Sequence, residues 1–422
     1  MSIWPVTHLR EKLPGPGKQR EFCSVFVHSR DLFSFELAWD HPFKPERVYK
    51  TVELCGRYGV WERSWMRVVA PVKVQEEELL GFHHPSYIRV LKEASEGRIS
   101  LETLQKGLGT HECPVVPGLY DWACGIVGGT LGAMRAILAG EADVAVNFYG
   151  GLHHGMPDHA EGFCYLNDIA VSVPEALKRG WKVAYVDCDA HHGNGVQEAF
   201  YKDPRVLVIS IHETGRTLYP WDGWETQLGE GEGYGYNVNL PLEPGSDDEV
   251  FQLAFDSVVL PLLEAFDPDL IVAQLGADSL ISDPLTHLRL TNNGYSHALR
   301  CMAGLGRPIL ALGGGGYDMY RTARWWTLAW AILNDLEPKD ELAGLVGGMM
   351  FGPEMEVGSL LDAPHPSEGE IKDRAMEEAR RVVAFLEEKL FPIHGISKGG
   401  KPQDMIEGQW TQRPLAQEEH EA

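Results

Sequence analysis

The sequence predicts an α/β protein built on a single doubly wound, mostly parallel sheet flanked by helices. Three observations carry that prediction. Short runs that are apolar at nearly every position recur along the chain, the pattern of strands buried on both faces. Each run is followed by Gly or polar residues and then helix-like sequence, which makes right-handed β-α-β crossovers the natural connection. The residues with the most chemistry stand immediately after the runs, where the carboxyl ends of such a sheet build a site.

Taken in order, the first run is Cys23–His28. The second, Val144–Tyr149, leads into Gly150-Gly151-Leu152-His153-His154. The third, Lys182–Val186, is followed by Asp187 to Asn194, D-C-D-A-H-H-G-N, and the fourth, Val206–Ile211, is closed by His212. Leu270–Gln274 precedes Gly276-Ala277-Asp278, and Ile309–Leu312 precedes the glycines Gly313 to Gly316 and Tyr317. The segment Gly215–Gly235, rich in Gly, Trp and Tyr without periodicity, reads as a long, partly packed loop at a pocket rim. Ile371, Ala375, Ala379, Val382, Val383, Leu386 and Leu390 recur at three- and four-residue spacing and mark an amphipathic helix against the body. Beyond Pro392 the chain turns polar and finishes acidic. One domain over residues 20–392 and a polar tail over 393–422 are therefore expected.

Composition narrows the class. The chain has 422 residues, and a hydrophobic share of 44% is ample for a sizeable core. A formal charge of −24 argues against direct nucleic-acid binding, which needs a basic face. It suits steering of a basic partner such as a lysine-rich protein segment, and serves equally well simply to keep a protein soluble. Seven scattered cysteines with no C-x-x-C pair are neither a disulfide framework nor a structural zinc knot. The N-terminal sequence lacks the apolar core of a signal peptide, and no run approaches the ~18 apolar residues of a membrane span. A reducing, cytoplasmic setting away from membranes is expected.

The site can be read residue by residue. Asp189 and His191 are separated by one residue, so on extended backbone they leave the same face, and Asp278 offers a third ligand from a neighbouring strand end. A fourth position would then stay open for water and substrate, as a hydrolytic metal site requires. An isolated D-x-H is weak evidence; the strand-end Asp and the tandem histidines strengthen it. His153 and His154 are candidates for the proton transfers that hydrolysis needs. The Gly-rich turn before Tyr317 lacks the Lys-Ser or Lys-Thr of a phosphate loop. It suits a loop that carries a tyrosine hydroxyl over the metal, as a donor to an oxyanion.

Five segments, G-G-L-H-H, G-F-C-Y-L-N-D, D-C-D-A-H-H-G-N-G-V, L-G-A-D-S-L and G-G-G-G-Y, occur in an order and spacing that resemble the histone deacetylase family. With H-P-F-K-P-E-R near the N-terminus, the resemblance covers roughly residues 20–390. The T-H-E-C-P-V-V-P-G segment and the compact chain look most like the bacterial branch that includes acetoin-utilisation deacetylases. The resemblance implies the arginase/deacetylase fold and zinc-dependent hydrolysis of acylated lysine in a protein or peptide substrate. It implies Asp189, His191 and Asp278 as metal ligands, although two carboxylates and one imidazole accept Fe2+ as well as Zn2+. It implies His153 and His154 as the acid/base pair and Tyr317 as the residue that polarises the acyl carbonyl. It further implies Gly162, Phe163 and Tyr219 along a tunnel for the lysine methylenes, and Asp187 as the partner of His153. Asp187 would also border a buried monovalent-cation (K+) site near Ser210. Glu112 would be a rim carboxylate, where the family usually has Asp, and Arg47 would line an inner cavity.

Position 194 is Asn, where many relatives have Asp beside the second histidine. An amide orients His154 without stabilising its charged form as a carboxylate does, which predicts a lower pKa for His154 than an Asp partner would give. Three other readings compete. A two-metal arginase-like site needs carboxylates where this chain has Gly193 and Leu280. An acetylpolyamine deacetylase would use the same chemistry on a small cation; the position aligned with its acidic gatekeeper is Leu285, which leaves Glu112 as a substitute. A non-catalytic acyl-lysine binder would usually have lost a ligand, a histidine or the tyrosine, and all are present.

Overall fold

The structure, a computed structural model, describes residues 21–338 and 359–397. The described residues form one sheet of eight parallel strands: β1 (Ser24–Val27), β2 (Met66–Val69), β3 (Val144–Asn147), β4 (Val183–Asp187), β5 (Val206–Glu213), β6 (Asn237–Leu242), β7 (Leu270–Gln274) and β8 (Ile309–Leu312). Their order is β2-β1-β3-β8-β7-β4-β5-β6. The six runs expected from the sequence are the six inner strands of that sheet. Strand β5 runs past its apolar stretch to Glu213, so His212 lies within the strand rather than after it.

Burial on both faces explains the unbroken apolar pattern. Alternate residues such as Phe26, Val146, Val186 and Ile271 enter the larger of two cores, while Val25, Ala145, Tyr185 and Val272 enter the other. The larger core is closed by α1 (Glu46–Arg57), the first part of α2 (Leu119–Leu138), α4 (Asn292–Gly304), α5 (Met319–Leu333) and α6 (Gly369–Leu390). The smaller is closed by the end of α2 and by α3 (Asp168–Leu177). Asn167 caps α3 by accepting a hydrogen bond from Ala170 N at 2.9 Å.

Helix α5 ties the core to the strand ends. Trp325 and Trp326 are fully buried, and each indole N–H donates to the carbonyl of Leu275, at 3.2 and 2.9 Å. A buried indole needs such a partner. Here the partner is the residue just past β7, so packing of the helix fixes the loop that carries Asp278. Trp326 also stacks on Phe148 at 4.8 Å, just past β3.

Strands β2 and β6 are additions to the expected set. Both are edges, where one side of the ladder is unpaired and the apolar demand relaxes. Met66–Val69 is half-exposed, and β6 carries Asn237, Asn239 and Pro241, a residue tolerated because it lies on an edge. The Asn237 and Asn239 amide nitrogens donate to Gln197 Oε1 at 2.8 and 2.9 Å, which gives their N–H groups a partner in the interior. The segment 215–235 is irregular except for a short turn at Gly231–Gly233. Helix α6 buries the expected stripe apart from Ile371, which is 52% exposed in the first turn. The chain still packs after Pro392: His394 Nε2 lies 2.8 Å from the Gly235 carbonyl, and Ile396 rests on the main core. The rest of the expected tail, from residue 398, lies outside the described residues.

Candidate active site

Strands β3, β8, β7, β4 and β5 are consecutive in the sheet, so the loops after them meet at one place. Asp187 ends β4. The turn that follows is held by its own carboxylates, with Asp189 N donating to Asp187 Oδ1 at 3.1 Å and His191 N to Asp189 Oδ1 at 3.0 Å. Ala190 N donates to Asp278 Oδ1 at 2.8 Å, joining this loop to the one after β7.

Three buried side chains converge there. His191 Nδ1 lies 3.1 Å from Asp189 Oδ1 and 2.9 Å from Asp278 Oδ2, and the donor atoms of the three all fall within 4.8 Å of one another. The second Asp189 oxygen accepts from Gln274 Nε2 at 2.9 Å and Gly315 N at 2.7 Å. Burial and the adjacent Asp189 push the Asp278 carboxyl up to about 7. Burial opposes charging His191, but Asp189 and Asp278 outweigh it and push the imidazole up to about 10. Two buried carboxylates around one imidazole nitrogen make a strongly cation-attracting point, and two oxygens with one nitrogen suit Zn2+ or Fe2+. Gly315 must be Gly: a Cβ on it would lie 2.0 Å from Asp278 Oδ2.

The histidine pair borders this cluster. His153 Nδ1 is 2.7 Å from Asp187 Oδ2, which also accepts from Tyr185 Oη at 2.6 Å. His154 Nδ1 is 2.7 Å from Asn194 Oδ1, and the two Nε2 atoms face each other at 3.1 Å. Both rings are buried, yet they are pulled in opposite directions. Burial lowers both, but Asp187 and Asp189 outweigh it and raise His153. For His154, burial and the neighbouring His153 and His191 rings outweigh the Asn194 hydrogen bond and hold it well below the ordinary histidine range. Burial is the largest of these causes, and the Asn194 hydrogen bond acts against it.

Aromatic rings pack around the cluster. Tyr317 packs edge-on against Phe163 at 5.7 Å and His191 at 6.3 Å, and Tyr219 packs edge-on against His154 at 5.1 Å. Burial, then Asp278 and Asp189, push the Tyr317 phenol well above its ordinary value. Glu112 Oε1 accepts from Gly162 N at 2.7 Å, and Leu285 is partly exposed. Buried Arg47 donates to the carbonyls of Gly316 at 2.7 Å and Gly314 at 2.6 Å and stacks over Phe43, so it props the glycine loop from below. Ser210 lies beside Asp187 across the β4–β5 ladder, its hydroxyl 2.8 Å from His212 Nδ1.

A family model described as histone deacetylase domain matches residues 41–333, a span that contains every one of these residues. The chain belongs to the histone deacetylase family. It is 39% identical over 327 residues to acetoin utilization protein AcuC of Bacillus subtilis, covering 76% of this chain and 84% of that protein. It is 35% identical over 343 residues to human histone deacetylase 1, covering 81% of this chain and 70% of the relative. Against type-1 histone deacetylase 1 of Dictyostelium discoideum the identity is 38%, covering 75% of this chain and 63% of the relative's length. A crystal structure of an HDAC homologue from Aquifex aeolicus superposes with a TM-score of 0.75 at 31% identity, covering 85% of this chain and all of that one. Membership makes the chain a hydrolytic deacetylase by class, on the fold expected from the sequence.

Within this deacetylase fold, several polar groups at the site were not singled out from the sequence. Gln274 was visible as the lone polar residue ending an apolar strand. Asp168, which accepts from Gly151 N at 3.1 Å and Leu152 N at 2.8 Å, lies in the G-F-C-Y-L-N-D segment. Asp283, which accepts from Tyr317 N at 2.8 Å, and Glu161, which accepts from the Asn194 amide, carry no local signal. A second group of donor residues, Asp256, His297 and Cys301, is partly exposed on the helical flank, with His297 Nε2 already paired to Asp256 at 2.6 Å. No helix among the described residues is long and apolar enough to cross a membrane.

Proposed function

We propose that the protein is a metal-dependent amidohydrolase that removes acetyl or related acyl groups from lysine side chains in proteins or peptides. The observation that carries the reading is His191 held between two buried carboxylates, beside a histidine pair whose members are driven in opposite directions. A divalent ion, Zn2+ or Fe2+, held by Asp189, His191 and Asp278 would supply Lewis-acid activation of water and of the acyl carbonyl.

The remaining work falls to this chain's own residues. His154, kept neutral, accepts the proton of the attacking water at Nε2. His153, held by Asp187 and raised, delivers a proton from Nε2 to the departing lysine amine. Tyr317 stays protonated and donates its hydroxyl hydrogen to the acyl oxygen as that oxygen gains charge. Phe163 and Tyr219 flank the lysine methylenes, with Gly162 giving the backbone room to pass. The monovalent cation expected beside Asp187 and Ser210 rests on the family resemblance alone, the Ser210 hydroxyl being engaged by His212.

An acetylpolyamine substrate would need a carboxylate for its second amine. Leu285 offers none, and one oxygen of Glu112 is already committed to Gly162 N. The test is turnover of an acetyl-lysine peptide against an N-acetylated polyamine on metal-loaded protein. Preference for the peptide supports the proposal, whereas preference for the polyamine moves recognition to the free oxygen of Glu112.

A further inference from the structure

The partner of His154 is an amide, and an amide has two different ends. Asn194 Oδ1 accepts only and Nδ2 donates only, so whichever end faces the imidazole decides which ring nitrogen carries the hydrogen. With Oδ1 2.7 Å from His154 Nδ1, that nitrogen must be the donor, and Nε2, which faces His153 Nε2 at 3.1 Å, keeps its lone pair. A reversed amide would place an N–H against Nδ1 and move the ring hydrogen to Nε2. The histidine would then be unable to accept a proton there. A carboxylate at this position would accept through either oxygen and would need no such control.

Something must therefore hold the amide, and the group in place is Glu161. Asn194 Nδ2 donates to Glu161 Oε1. The other carboxylate oxygen lies 3.0 Å from His159 Nε2, and His159 Nδ1 lies 2.8 Å from Asp158 Oδ1, which continues the line to the surface. Burial opposes ionisation of Glu161, but His159 and Asn194 together hold its carboxyl below the ordinary value, so it is an acceptor at both oxygens. Glu161 and Asp158 in turn push His159 up to about 9, which keeps it a donor. The order of donors and acceptors from Asp158 to His154 then has one self-consistent direction.

We propose that Glu161 is a positioning residue for the reaction: it fixes the Asn194 amide so that its oxygen faces His154 Nδ1 and the imidazole carries no hydrogen on Nε2. The inference rests on the role of His154 as base. It requires an acceptor at position 161 only as long as residue 194 is an amide.

The experiment is a double-mutant cycle of Glu161→Ala and Asn194→Asp, with Glu161→Gln alongside, measuring kcat and KM on an acetyl-lysine peptide. With Asn194 in place, Glu161→Ala should lower kcat about 10-fold or more, the scale on which partners that orient a site histidine act, with KM little changed. Glu161→Gln, which still accepts through its carbonyl oxygen, should keep kcat close to wild type. In the Asn194→Asp background the sign should reverse: removing Glu161 relieves two adjacent carboxylates, and kcat should hold or rise. An equal loss in both backgrounds, or none in either, overturns the proposal. Selective 15N labelling of histidine gives a readout that needs no turnover. The His154 ring, assigned by its loss in His154→Ala, should show a single Nδ1–H form in the wild type and a mixture in Glu161→Ala; an unchanged ring contradicts the inference. Normal turnover in His154→Ala would instead sink the base assignment and leave the ring measurement to judge Glu161.

Discussion

Replacing Gly162 by Ala tests whether the position of the His154 ring sets the rate. Gly162 has φ +55°, and a Cβ on it would lie 2.2 Å from His154 Cδ2 and 2.5 Å from Cγ. Carbon contacts settle near 3.5 Å, so the ring must retreat by about 1.3 Å. It cannot do so and keep both Asn194 at 2.7 Å and His153 at 3.1 Å, with the Tyr219 ring also packed against it. A misplacement of about 1 Å costs on the order of 10²-fold in rate. Left-handed backbone adds roughly 1 kcal/mol and the overlap about 1–3 kcal/mol, so stability should fall by ~2–4 kcal/mol. The assay is steady-state turnover on an acetyl-lysine peptide, with the urea midpoint and metal content measured on the same preparation. The expected result is kcat down about 100-fold in a folded, metal-binding variant. Turnover within about threefold of wild type would refute the reasoning, because the ring would then have no exact place to keep.

Three further outcomes follow from the same geometry. Tyr317→Phe removes only a hydroxyl, so kcat should fall by about 10²–10³ while the melting temperature holds; near-normal turnover would remove Tyr317 from the reaction. Asn194→Asp puts a carboxylate beside His154 and should shift the acid limb of the pH–rate profile upward, which a profile measured between about pH 4 and 9 would register; an unmoved limb would count against the base assignment. On the flank, burial of His297 is outweighed by Asp256 and Cys301, which push it up to about 10. A raised folded pKa gives stability that is complete below ~6.5, the unfolded value, and is lost as pH rises through about 10. The urea midpoint gap between wild type and His297→Ala should therefore narrow from about pH 6 to about pH 10.5, and a constant gap would contradict the pairing.

What the sequence made legible follows from burial. The inner strands bury both faces, so their runs are apolar throughout and their ends stand out as the first polar residues, which is why the loops after them could be grouped into one pocket. The edges β2 and β6 do not carry that mark, since Met66–Val69 faces solvent and the asparagine amide nitrogens of β6 donate to Gln197, a partner 40 and more positions away. The same distinction runs through the site. Asp189, His191 and Asp278 announce themselves by residue type and place. The supports do not: Glu161 matters through an amide at 194, Asp283 through the backbone of Tyr317, and Trp326 through a carbonyl at 275, contacts that only folding creates. The opposed pulls on His153 and His154 likewise come from what surrounds two adjacent, identical residues.

The central claim is that one metal at Asp189, His191 and Asp278 drives amide hydrolysis. It is tested most directly by titrating metal-stripped protein with Zn2+ while following acetate release from an acetyl-lysine peptide. The account predicts no turnover without metal, a rise that saturates at one equivalent, and no rise in Asp278→Ala. Full turnover by metal-free protein, or undiminished activation of Asp278→Ala, would contradict it.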